Sequence, residues 1–230
     1  MRIVCRCLPE WHGLVPEPVP AAQGLPDWLR AMPREAVSGA LGGASVRTVK
    51  QCPPFVDAMG TGVLFPLIAD LHVRDGTFEW NTGLPAHPLA RPSRSPIGVH
   101  VAEQLLGAWG RDADAFAVKF TNAWTVLPPP GHAMLYGHPA NRLDLPFRTL
   151  SGRVEGHADG LVHFPALWVD DAFEDTLPAG TPVAQAVAVP VERLELVCET
   201  MDEAAVARHA GTIDALQGEP GHYRRVTRRA

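Results

Sequence analysis

At 230 residues, with a formal charge of −5 and 46% hydrophobic residues, the chain is long enough for one sizeable core and too acidic for the broad Lys/Arg surface that nucleic-acid phosphates require. Twenty-three prolines and 21 glycines interrupt any long helix, so the composition points to short strands joined by turns. Cys5, Cys7, Cys52 and Cys198 form neither a CxxC pair nor a disulfide framework, and no stretch approaches the roughly 18 apolar residues of a membrane helix; the expectation is a cytoplasmic protein with no membrane and no nucleic-acid partner.

In chain order, MRIVCRCL alternates apolar and polar residues as a half-buried strand does, and the proline-rich VPEPVPAAQGLP then runs as an extended connector. PDWLRAMP reads as one helical turn between Pro26 and Pro33. SVRTVKQ, CPPFVDAMGTG and VLFPLIADLHV follow as strand, helical turn and strand. Asp75-Gly76 closes the next hairpin, because this dipeptide tolerates the positive φ angles that tight hairpin turns need. NTGLPAHPLARPSRSP is a long loop, and VHVAEQLLGAWG is predicted as a short helix from the spacing of Val101, Leu105 and Ala108. FAVKFTNAWTVL, HAMLYG, PFRTLSGRVEG, LVHFPALWV and TPVAQAVAVPVERLELV are strand-like runs, and MDEAAVARHAGTIDALQG is a helix stopped by Gly218. The expected organisation is a single domain over 1–230: an extended segment with a short helix over 1–44, a β core over 45–198, and a helix with a basic tail over 199–230. The fold class is mainly β (α+β), a jelly-roll or cupin-like sandwich or barrel with short peripheral helices; a β-clip is the alternative.

PDWLRAMP, CPPFVDAMGTG, HVAEQ, VKFTNAWTVLPPPG, NRLDLPFRTLSG, VHFP and PAGTPVAQAV occur in that order between about residues 20 and 190. These blocks resemble a family of small bacterial and tailed-phage proteins with patterns such as KFxNPWxIxTPPGYS, SGVVDTDTY, VHFPF and PAGTPIAQVIPF. The resemblance supplies candidate positions and no reaction. The chain departs from it at Asn122-Ala123-Trp124, where the pattern has NPW, and at Glu155-Gly156-His157, where it has DTD.

The densest cluster of chemistry is GRVEGHADGLVHFP, residues 152–165. A three-residue turn over Ala158, Asp159 and Gly160 pairs Glu155 with His163 across a hairpin and sets Glu155, His157 and His163 on one face; a two-residue turn puts His163 on the other. Two imidazoles and a carboxylate are the ligand set of non-heme iron, with open positions for oxygen and substrate. His157 and Asp159 also form an HxD, and Arg224 or Arg225 could hold 2-oxoglutarate. His100 is a further candidate ligand: on a helix, Glu103 and Gln104 share its face. Lys119 and Asn122 are candidate catalytic groups; Trp124, Gln104 and Arg142 are candidate substrate contacts. His132 and His138 share a face of their strand, with solvent exposure as the plainer reading.

Three functions compete. The first is an oxidative enzyme, a non-heme iron oxygenase acting on a small molecule. The second is a metal-free β-clip enzyme acting on nucleotides, from the resemblance of PAGTPVAQAVAV to the closing strand of nucleotide pyrophosphatases and deaminases. The third is a binding or assembly module. A homodimer is compatible with all three.

Overall fold

The structure, a computed structural model, describes residues 1–89, 91–101, 104, 117–156 and 160–218. Its strands are β1 (Val4–Arg6), β2 (Val19–Pro20), β3 (Glu35–Ser38), β4 (Ala44–Arg47), β5 (Val63–Pro66), β6 (Leu71–Arg74), β7 (Thr77–Trp80), β8 (Ile97–His100), β9 (Ala117–Phe120), β10 (Thr125–Leu127), β11 (His132–Gly137), β12 (Phe147–Thr149), β13 (Gly152–Val154), β14 (Phe164–Trp168), β15 (Thr176–Leu177) and β16 (Pro182–Pro190). The helices are α1 (Asp27–Ala31), α2 (Pro53–Gly60) and α3 (Glu203–Gly218). The chain divides into two compact units, one of residues 1–31 with 57–191 and one of residues 32–56 with 192–230.

The larger unit is built from open sheets, and among the described residues none closes into a barrel. One sheet runs β13-β11-β16-β5-β2, a second β12-β14-β9-β8, and smaller ones β15-β6-β7 and β1-β10. The reason the first two form a sandwich is visible in their alternation. In β14, Phe164, Ala166 and Trp168 are buried while Pro165 and Leu167 are only half-buried; β12 alternates in register with it, as does β9 from Val118 to Phe120, with Ala117 buried as well. Their buried faces meet Phe65 of β5, Met134 and Tyr136 of β11, and Val183, Ala184 and Ala186 of β16 in one core. Phe164 sits against Phe65 at 5.3 Å and Tyr136 at 5.5 Å, ring centre to ring centre, in tilted arrangements that suit the ring quadrupoles. Burying a side chain of this size stabilises by roughly 1.5–3 kcal/mol.

The Asp75-Gly76 hairpin is formed: β6 pairs with β7 through Arg74 and Thr77, with φ of 48° at Asp75 and 68° at Gly76. VHVAEQLLGAWG departs from its helical expectation at its start, where Val99 and His100 end strand β8, pairing with Val118 and Ala117 of β9. The β-branched valines beside an open strand edge favour the extended state there.

The hairpin expected over 152–165 is not formed. Its first arm, β13, pairs with β11, whereas its second, β14, lies between β12 and β9 in the other sheet; Leu161 bridges to Thr125. Turn chemistry set that local register, but the apolar face of β14 buries far more surface between β12 and β9 than a two-stranded hairpin can.

In the smaller unit β3 and β4 form an antiparallel hairpin turning at Gly42 and Gly43, with φ of 63° and 88°. Gln51 Nε2 donates to Arg34 O at 2.8 Å and Lys50 Nζ to Met32 O at 2.9 Å, tying the chain after β4 back to the start of β3. Asp202 caps α3 by accepting the Ala205 N–H at 2.7 Å.

Candidate functional site

The outer face of the β12-β14-β9-β8 sheet collects the chemistry. Register places Gly98, Lys119 and Pro165 side by side across β8, β9 and β14. One step along, His100 stands beside Ala117; at the other end of the strand, His163 directly precedes β14. His100, Lys119 and His163 therefore share this face as a diagonal strip about two strand residues apart at each step. Gly98 makes the strip possible: a Cβ there would meet Lys119 Cε at 3.4 Å, so the lysine stem lies across the bare glycine.

Lys119 makes no ion pair and no hydrogen bond with any described residue. Its charge is nonetheless felt: burial first, and the Lys119 ammonium second, hold the His163 imidazole below its ordinary value of 6.5. The Asn122 backbone N–H donates to His163 Nδ1 at 3.1 Å, which places the proton of the neutral ring on Nε2. Nε2–H has no partner among the described residues. Protonating Nδ1 would set two donors against each other, so the site holds His163 as a neutral donor beside a cation. At the other end, His100 Nδ1 lies 2.9 Å from Gln104 Oε1, which puts that ring's proton on Nδ1 and leaves Nε2 a bare acceptor, buried and without a partner among the described residues. His100 and Gln104 thus do meet, although His100 stands on a strand end.

Asn122 is 2% exposed and its side chain closes a local turn: Nδ2 donates to Trp124 O at 2.6 Å and Oδ1 accepts the Trp124 N–H at 2.9 Å. It acts on the site through its backbone, by fixing His163. Trp124 is 6% exposed, donates Nε1–H to Pro16 O at 3.0 Å and packs with Trp11, Val15, Ile68, Leu84 and Ala123.

Other candidates go elsewhere. Glu155 is exposed and paired with Arg153 Nη1 at 2.5 Å, following the strand β13 that joins the opposite sheet. Glu155 therefore does not stand opposite His163, and the shared hairpin face that the iron reading requires is not formed. Arg142 binds Asp144 through both Nε and Nη2 at 2.9–3.1 Å. Burial pushes the Asp144 carboxyl up, but the Arg142 guanidinium outweighs it and holds the group below its usual range. His138 donates Nε2–H to Arg142 O at 2.9 Å and accepts the Thr149 N–H on Nδ1 at 3.2 Å, so both its nitrogens are used in the fold. His157, Asp159, Glu103, Arg224 and Arg225 lie outside the described residues. Among the described residues no three His, Cys, Asp or Glu side chains converge closely enough to hold a metal ion, and no helix is long and apolar enough to cross a membrane.

Two clefts were not singled out from sequence. One, of about 570 Å³, is lined by Cys5, Cys7, His12, Glu17 and the edge of Trp124. Burial raises the Cys5 thiol to about 11, so it rests protonated. The other, of about 510 Å³, lies under Trp80, Asn81 and Arg94. The first brings Trp124 to a segment more than a hundred positions earlier, and the second is folded from the loop after β7, neither of which periodicity registers.

No family model and no curated protein matches the chain. Among solved structures, it is similar to a point mutant of the dUTPase from phage phi11 of S. aureus, at 13% identity over 47% of this chain and 99% of that one, with a TM-score of 0.27. It is likewise similar to a point mutant of the dUTPase from Staphylococcus bacteriophage 80alpha with dUpNHpp, at 13% identity over 46% and 89%, with a TM-score of 0.28. Neither likeness assigns a role to any residue above.

Proposed function

We propose that the face centred on Lys119 binds an anionic small molecule, and that its substrate class is a phosphate-bearing nucleotide. The carrying observation is Lys119: a half-buried lysine without an acid partner among the described residues, beside an imidazole fixed as an N–H donor. A point charge and a neutral donor are what a phosphate oxygen asks for. His100 Nε2 adds the opposite chemistry, a desolvated acceptor that a hydroxyl or base N–H satisfies. From the His100 position to that of His163 the strip runs about four strand residues along and two strand spacings across, roughly 16 Å on the diagonal, which fits an extended molecule with an anionic end and a donor end better than a free phosphate.

In this reading Lys119 attracts and orients the phosphate, His163 donates one hydrogen bond to an oxygen on which charge develops, and the Asn122 backbone positions His163. His163 is not the proton donor of the reaction, since losing Nε2–H from a neutral ring is prohibitively unfavourable.

Calorimetric titration with phosphate, pyrophosphate and a panel of nucleoside mono-, di- and triphosphates tests the reading. At least one nucleotide is expected to bind more tightly than phosphate. Lys119→Ala is expected to weaken it by about tenfold to a hundredfold. His163→Asn, whose Oδ1 can still accept the Asn122 N–H, is expected to keep the fold and lose affinity. Absence of binding by every nucleotide, or equal affinity in Lys119→Ala, would contradict it.

A further inference from the structure

In the smaller unit, residues 192–200 (ERLELVCET) are all exposed, with Leu194 at 90% and Leu196 at 80%. From Glu192 to Met201 the backbone makes no hydrogen bond to any described residue. The segment nevertheless has a strand's alternation: Leu194, Leu196 and Cys198 on one side, Arg193, Glu195, Val197 and Glu199 on the other. The same unit holds a second incomplete feature. Among the described residues β3 and β4 pair only with each other, so the outer edge of each is open, and a two-stranded hairpin is marginal by itself.

We infer that residues 192–200 of one copy add as a third strand to the β4 edge of a second copy of this chain, each copy giving and receiving one strand in a symmetric dimer. Both faces of the added strand find a match. Ala36, Ala44 and Val46 share one face of the hairpin, offering an apolar bed to Leu194 and Leu196; Arg47 lies on the other, facing Glu195 and Glu199. Charge selects β4 over β3. The run ASVRTVKQ, residues 44–51, carries Arg47 and Lys50 and no acid, whereas β3 presents Glu35 on the face where the incoming glutamates lie. The occupant is a second copy because the donated strand and the receiving edge are both unpaired in the same unit, and main-chain pairing across a two-fold axis completes both at once.

Analytical ultracentrifugation of the full chain tests this independently of the nucleotide reading, which depends on neither segment. The wild type is expected to show a concentration-dependent monomer–dimer equilibrium. Leu194→Glu with Leu196→Glu, at two side chains that are almost fully exposed, is expected to weaken it by about a hundredfold and, at concentrations where the wild type is monomeric, to leave circular dichroism and thermal midpoint unchanged. Arg47→Glu is expected to weaken it, and adding Glu195→Arg to restore it. A wild type that stays monomeric, a dimer indifferent to the leucine pair, or failure of the charge reversal to rescue overturns the inference. Hydrogen-exchange protection of 192–200 in a monomer likewise overturns it, because the strand is then occupied within its own chain.

Discussion

Several polar residues of this chain carry structure where their chemistry suggested reaction. Asn122 closes a buried turn with its side-chain oxygen and nitrogen, so Asn122→Ala is expected to lower stability by about 1–3 kcal/mol in urea unfolding, as partners left unpaired in a buried site do. Glu155→Ala, by contrast, breaks an exposed pair and is expected to shift stability by under about 0.5 kcal/mol while leaving anion affinity unchanged. His138 and His163 each accept a backbone N–H on Nδ1 and each titrate below 6.5 when folded, chiefly through burial. The unfolded chain binds the additional protons, so their contribution is fully present above about pH 7 and is lost as pH falls through 6.5 toward the folded values. Urea midpoints measured across that window are expected to drop with acid, and to drop less in His138→Gln. Sequence alone makes Lys119 and His163 candidates by residue type. It does not show that Asn122 reaches His163 through its backbone, because the contact joins positions 41 apart through main-chain geometry.

At the scale of elements, local signals worked where the turn itself decided the pairing. Asp75-Gly76 needs positive φ at both positions and nothing else competes for β6 and β7 at that turn. Ala158-Asp159-Gly160 carried a similar signal, but β14 had a better partner on each side. Two further joints have no local signature. Gln185 in β16 accepts the Ala140 N–H and donates to Ala58 O and Thr61 O, tying the end of α2 and the loop after β11 to one central strand; Gln185→Leu strands all three groups and is expected to cost about 3 kcal/mol. Gly62 has φ +81°, and a Cβ there would lie 2.0 Å from Ala186 O. Gly62→Ala is expected to destabilise by about 3 kcal/mol or more, read as a lower thermal midpoint, because the backbone strain and the clash with β16 add.

For the whole molecule, composition and alternation made a mainly β architecture legible, since the proline and glycine content left little room for helices and strands such as β12 and β14 kept their period of two. The partition between sheets was not legible, because which strands share a sheet is decided by long-range burial. The same limit explains the site: alternation places Lys119 on an outward face, but only the register of β8, β9 and β14 sets it between His100 and His163. The central claim is that this strip holds His163 as a neutral Nε2–H donor beside Lys119 to receive an anion. Nitrogen-15 NMR of the histidine rings, with and without a saturating nucleoside triphosphate, tests it most directly. The expected result is an Nε2–H tautomer for His163 whose Nε2 resonance moves on addition of the nucleotide, and moves far less in Lys119→Ala; an Nδ1–H tautomer, or a resonance that the nucleotide leaves in place, would contradict it.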